Sequence, residues 1–229
     1  MDVHWLCFHS NYLIYNHVRK NRTVLPVHLF KHKHFAASSI GLFLANIAII
    51  GPMLILPLFF QSFRRFTAIG AALALIPQGI GMLVTRPMIG KLIDKIGAKY
   101  VVMVSLVLAL IGSIPFIFIT DKTSMIWLSI VLFIRGTSFG GIMLPLTSDA
   151  YTGLDSTQLL EAGVGINIIE NLGSSFGSAV IATVVATVIQ GLHPSIANHL
   201  AGYHAGFLVS AVMLALIFIP SLFLTHKKA

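Results

Sequence analysis

The amino-acid sequence predicts an all-α integral membrane protein, a bundle of six transmembrane helices. Three observations predict it. Of the 229 residues, 56% are hydrophobic and only 10% are charged, so the charged surface of a water-soluble domain is missing. Six apolar runs reach the length of about 20 residues that a helix needs to cross a hydrocarbon layer about 30 Å thick. The basic residues collect in the connections on one side of those runs. A transmembrane barrel is excluded, because its strands would alternate polar and apolar residues over about ten positions.

Taken in order, Met1 to Tyr15 mix aromatic and polar residues, too short to span and without the small-residue cleavage site of an export signal. Residues 16–35 are basic, carry Pro26 and lead into the first run. We therefore read 1–35 as a cytoplasmic N-terminal segment, 36–226 as the six-helix bundle and 227–229 as a cytoplasmic tail. The runs extend from Ala36 to Phe60, Ala68 to Ile89, Tyr100 to Ile119, Met125 to Leu146, Gly163 to Gln190 and Ala205 to Leu224. Short connections between them leave no room for a soluble appendage. Small residues four apart, such as Gly70 and Ala74, Gly136 and Gly140, and Gly173 and Gly177, predict close helix contacts. Pro52, Pro57, Pro77, Pro87, Pro115, Pro145 and Pro220 lie in or at the ends of runs, where each removes a donor and bends the helix.

The net charge of +8 reports orientation. Arg19, Lys20, Arg22, Lys31, Lys33, Lys91, Lys95, Lys99, Lys227 and Lys228 fall on one side, against Arg64, Arg65 and Lys122 on the other. Excess base marks the cytoplasmic side, so both termini are expected in the cytoplasm of a multi-pass cell-membrane protein, and no nucleic-acid partner is expected. The connection from Thr147 to Ala162 breaks the pattern, holding Asp149, Asp155 and Glu161 and no base. Cys7 is the only cysteine, and the ten histidines match no zinc-ligand spacing, so no metal site is expected.

No nucleophile elbow, Walker loop, paired-histidine motif or dinucleotide fingerprint is present, so an enzyme is not expected. The informative residues are polar groups at membrane depth. In the fifth run Asn167, Glu170, Asn171, Ser174 and Ser178 form one polar stripe, expected to line a cavity or meet another polar helix. Glu170 is the carboxylate placed to exchange a proton during transport, or else to make a fixed ion pair. Arg135, midway along the fourth run, needs a counter-ion, an aqueous face or a snorkelling path, and Glu170 at similar depth is the natural partner. Gln78, behind Pro77, is a further cavity-lining candidate. Gly90 to Lys99 reads as a tight cytoplasmic turn between helices, with lysines at the membrane face and Asp94 placed to meet a helix N-terminus.

At this turn Gly90, Leu92, Asp94, Lys95, Gly97 and Lys99 match the G-x-L-x-D-r-x-G-r-k signature, so the chain resembles the major facilitator superfamily. More narrowly, it resembles the C-terminal six helices of the fourteen-span EmrB/QacA-type drug:proton antiporters. The segments HLFKHKHFA, LPLFFQ, ALIPQGIGM, TRPMIGKLIDKIGAKY, IRGTSFGGIMLPLT and NIIENLGSSFGSA carry the likeness from Val27 to Ala186. Ser138 stands where that family commonly has glycine, and Glu170 where it often has arginine. The resemblance implies one half of a transporter exporting lipophilic or cationic compounds, with a proton gradient instead of a cofactor as its driving force. It implies an N-terminal half, either missing because the chain is a fragment of a longer transporter or supplied by a partner chain, with the known proton-coupling carboxylates in that half and alternating access between the two. The competing expectation is a self-sufficient six-helix membrane protein, acting as a homodimeric transporter or a non-transporting subunit.

Overall fold

Backbone hydrogen bonds have nowhere to go but within a helix when water is absent, and the described chain is helical nearly throughout. The computed structural model describes residues 27–120, 122–191 and 196–225, the side chains of 196–199 excepted. Met1 to Tyr15, Cys7, Arg19, Lys20, Arg22, His193, Lys227 and Lys228 lie outside the described residues. Six helices are long and apolar enough to cross a membrane: Lys33–Arg64, Ala68–Ile96, Ala98–Phe118, Met125–Ala150, Ser156–Gln190 and Leu200–Ser221. We call them the first to sixth spans.

The spans are longer than their apolar runs, because helix ends are set by hydrogen bonds and turns, while hydropathy reports only the segment in hydrocarbon. Gly90 to Ile96 is therefore the last part of the second span, and the expected turn from Gly90 to Lys99 shrinks to Gly97 alone. Gly97 has φ 89°, a conformation L side chains rarely adopt, and its N–H donates to the Ile93 carbonyl at 2.8 Å. Gly90 lies inside the helix, seven residues before Gly97, where an added Cβ would meet nothing within 4 Å. Likewise the connection after the fourth span is confined to residues 151–155, where Asp155 and Gln158 form a capping box at the start of the fifth. The second span breaks at Leu75, where Pro77 permits a restart as Ile76–Ile96. The third span tightens into a 3-10 turn at Ile114–Phe118, around Pro115. Pro52, Pro57, Pro87 and Pro145 lie inside continuous helices.

Glycines set the packing. A side chain at Gly136 would collide with the Gln78 carbonyl, and one at Gly81 with the Phe133 carbonyl, so the second and fourth spans meet backbone to backbone. The first and fifth spans do the same through Gly173 and Gly177, whose added Cβ atoms would lie 2.7 Å from the Phe43 carbonyl and 2.6 Å from Ile47 Cα. The third span lies on the fourth, and the sixth on the first and fifth. The first and fourth spans form the centre, 61% and 56% buried over their most apolar stretch. The second and fifth are left at 11% and 22%, so two apolar flanks are uncovered.

Candidate functional site

The polar stripe of the fifth span faces two ways. Ser174 Oγ lies 3.1 Å from Asn46 Oδ1 and 2.8 Å from the Glu170 carbonyl, turned inward against the first span. Glu170, half-buried, faces the Thr147 hydroxyl of the fourth span. This inward half depends on Gly173, since any larger residue would hold Ser174 away from Asn46. The outward half is Asn167 and Asn171, both exposed: Asn171 Nδ2 donates to Asn167 Oδ1 at 2.9 Å and to the Asn167 carbonyl at 2.8 Å. Sequence reasoning missed Asn46, which is buried and donates from Nδ2 to the Leu42 carbonyl at 2.9 Å. The available signal was its isolation as an amide in an apolar run.

Arg135 does not pair with Glu170. The carboxylate faces Thr147, twelve residues beyond Arg135 (147 − 135) and so about 18 Å along the same helix. Arg135 is instead enclosed at 1% exposure, its guanidinium 5.6 Å from the ring centre of Phe116 and 5.0 Å from that of Phe139. Aromatic faces attract a cation, by about 2 kcal/mol when desolvated, and the 3-10 turn after Pro115 is what brings Phe116 there. Among the described residues, none of the three guanidinium nitrogens has a hydrogen-bond partner, and neither has Gln78 Oε1. Gln78 belongs to the contact of the second and fourth spans. The five candidates thus sit at different junctions: Gln78 and Arg135 on two sides of the fourth span, Glu170 between the fourth and fifth, Asn167 and Asn171 on an open flank.

At the basic end, Asp94 and Lys95 are exposed on the last turn of the second span, and Lys99 Nζ donates to the Leu222 carbonyl at 2.9 Å. The acidic residues that seemed to lack base are accounted for here. Asp149 is buried; Ser38 Oγ donates to its Oδ2 at 3.1 Å and the Thr225 N–H to its Oδ1 at 2.8 Å. His34 Nδ1 lies 3.4 Å from the same carboxylate, and Glu161 lies 3.3 Å from His28 Nε2. This network ties the ends of the first, fourth and sixth spans together. Sequence reasoning missed it because its members come from opposite ends of the chain.

Six apolar helices in contact through glycine, with amides and ionisable groups at membrane depth, define a multi-pass membrane protein. The chain belongs to the Major Facilitator Superfamily, whose model matches residues 13–178. Its members are transporters and not enzymes. The chain is 27% identical over 158 residues to the MFS-type transporter YcnB of Bacillus subtilis, covering 69% of this chain and 34% of that one. It is 26% identical over 156 residues to the multidrug export protein EmrB of Haemophilus influenzae, covering 66% and 30%. It is 27% identical over 156 residues to the probable multidrug resistance protein EmrY of Escherichia coli, again covering 66% and 30%. The chain spans about a third of the length of the curated relatives it matches.

Proposed function

We propose that this chain supplies the C-terminal six-helix half of a proton-driven multidrug efflux transporter, with both of its ends in the cytoplasm. The observation that carries this reading is the exposed Asn167–Asn171 pair on one of the two least buried spans. An amide pair is costly against lipid and inexpensive against a cavity or a second polar bundle. The uncovered second and fifth spans then border the transport path, facing an N-terminal half. Lipophilic or cationic compounds suit a path walled by apolar helices with few polar groups, and two relatives bear names of multidrug export or resistance. Glu170, half-buried beside Thr147, is the carboxylate we assign to proton exchange. Gln78 and Arg135 hold the fourth span in register behind it, and Gly97 with Asp94, Lys95 and Lys99 forms the hinge between the second and third spans.

Ethidium efflux from cells tests the reading. The chain alone should confer no efflux, and co-expression with an N-terminal half should restore it. Glu170→Gln in the restored pair should lower efflux about tenfold or more and flatten its dependence on pH. An unchanged pH profile removes Glu170 as the proton carrier, and robust proton-dependent efflux by the chain alone overturns the half-transporter reading.

A further inference from the structure

A groove of about 450 Å³ opens on the outer side of the bundle at its basic end, between the start of the first span and the end of the sixth. Its walls are Phe30, Ala37, Ile219 and Phe223, and Lys31 and Lys33 stand at its rim. One wall is rigidly made. Leu29 is fully buried, and Phe30 packs edge-on against Phe35 with ring centres 5.3 Å apart, so the 3-10 turn Val27–Lys31 is pinned to the bundle. The opposite wall is held by Lys99 Nζ on the Leu222 carbonyl and by Thr225 on Asp149.

Three features of the groove select its occupant. Ile219, on the outer surface near the end of the sixth span, and Phe223, in the turn just after it, are 61% and 62% exposed, so the groove presents an apolar wall toward lipid. The volume lies within the range of small-ligand sites, about 300–1,000 Å³, and suits a stretch of acyl chain. Lys31 and Lys33 are exposed, with no side-chain partner among the described residues, and they stand where a phosphate would lie if the chain entered the groove. An apolar slot capped by two ammonium groups at headgroup level is complementary to a phospholipid bearing net negative charge. We propose that this groove is a specific site for one anionic phospholipid of the cytoplasmic leaflet, its acyl chain against Ile219 and Phe223 and its phosphate on Lys31 and Lys33.

The leaflet assignment rests on the topology proposed above, but the site does not depend on the transport path, since none of its residues lies on the uncovered second or fifth spans. Native mass spectrometry of the full chain in detergent, titrated with phosphatidylglycerol or phosphatidylcholine of matched acyl chains, tests it. One phosphatidylglycerol should be retained about tenfold more strongly than phosphatidylcholine. Lys31→Gln with Lys33→Gln should abolish that preference, and Ala37→Leu, which fills the slot, should lower retention of both lipids. Lys91→Gln with Lys95→Gln, on the same face but away from the groove, should leave the preference unchanged. Equal retention of the two lipids, an equal effect of both lysine pairs, or displacement of bound lipid by inorganic phosphate would overturn the proposal.

Discussion

Asp149 shows how one residue at the end of a span organises three helices. Its carboxylate accepts from Ser38 on the first span and from the Thr225 backbone after the sixth, with no exposed surface on its side chain. Replacing it by alanine leaves both donors without an acceptor inside the protein. The Ser38 hydroxyl is buried and the Thr225 N–H only partly so; an orphaned buried donor costs about 1–3 kcal/mol, and Asp149→Ala is expected to destabilise the bundle by about that much. Glu161, whose contact with His28 is substantially exposed, is the control, and Glu161→Ala should change stability by less than about 0.5 kcal/mol. Thermal unfolding of the purified variants in detergent measures the difference, and equal shifts would contradict the burial argument. Arg135 follows a different logic. It is held by ring faces, so its position depends on Phe116 and on the turn that Pro115 imposes, not on an acid elsewhere in the sequence.

Elements in this protein touch where glycine allows it, which makes the effect of a substitution calculable from its neighbour. At Gly136 an added Cβ meets the Gln78 carbonyl, which is backbone and cannot swing aside, and Gly136→Ala should separate the second and fourth spans at a cost of about 1–3 kcal/mol. At Gly79, three residues before Met82 on the same helix, nothing lies within 4 Å, and Gly79→Ala should be neutral or stabilise by up to about 1 kcal/mol through helix propensity. Gly136→Ala should therefore lower the unfolding midpoint and Gly79→Ala should not, and a matching loss at both positions would mean that the close contact is not what the glycines serve. Both glycines sit in similar small-residue patterns, so the sequence alone does not distinguish them. The existence of all six helices was legible, because apolar length is a one-dimensional signal. Their ends were not, since Lys33 to Phe35, Gly90 to Ile96 and Ser156 to Ala162 are helical beyond the apolar runs. The polar stripe was legible as a face, but which part of it turns inward is decided by Asn46 and Thr147 on other helices.

For the whole molecule, the described basic residues Lys31, Lys33, Lys91, Lys95 and Lys99 gather at one end of the bundle, with Arg64, Arg65 and Lys122 at the other. We expect the first end to lie in the cytoplasm. In a Cys7→Ser background, a membrane-impermeant maleimide added to intact cells should label Lys122→Cys and spare Lys95→Cys, and the reverse pattern would invert the topology. The open flank of the fifth span carries the exposed Asn167–Asn171 pair. An amide pair left against lipid is costly, so a chain whose flank is uncovered is expected to be the less stable form in the membrane. On the reading that an N-terminal half covers the two asparagines, that half is also expected to lengthen the life of this chain after synthesis. The abundance of this chain would then follow the supply of the proposed half more closely than the level of its own message.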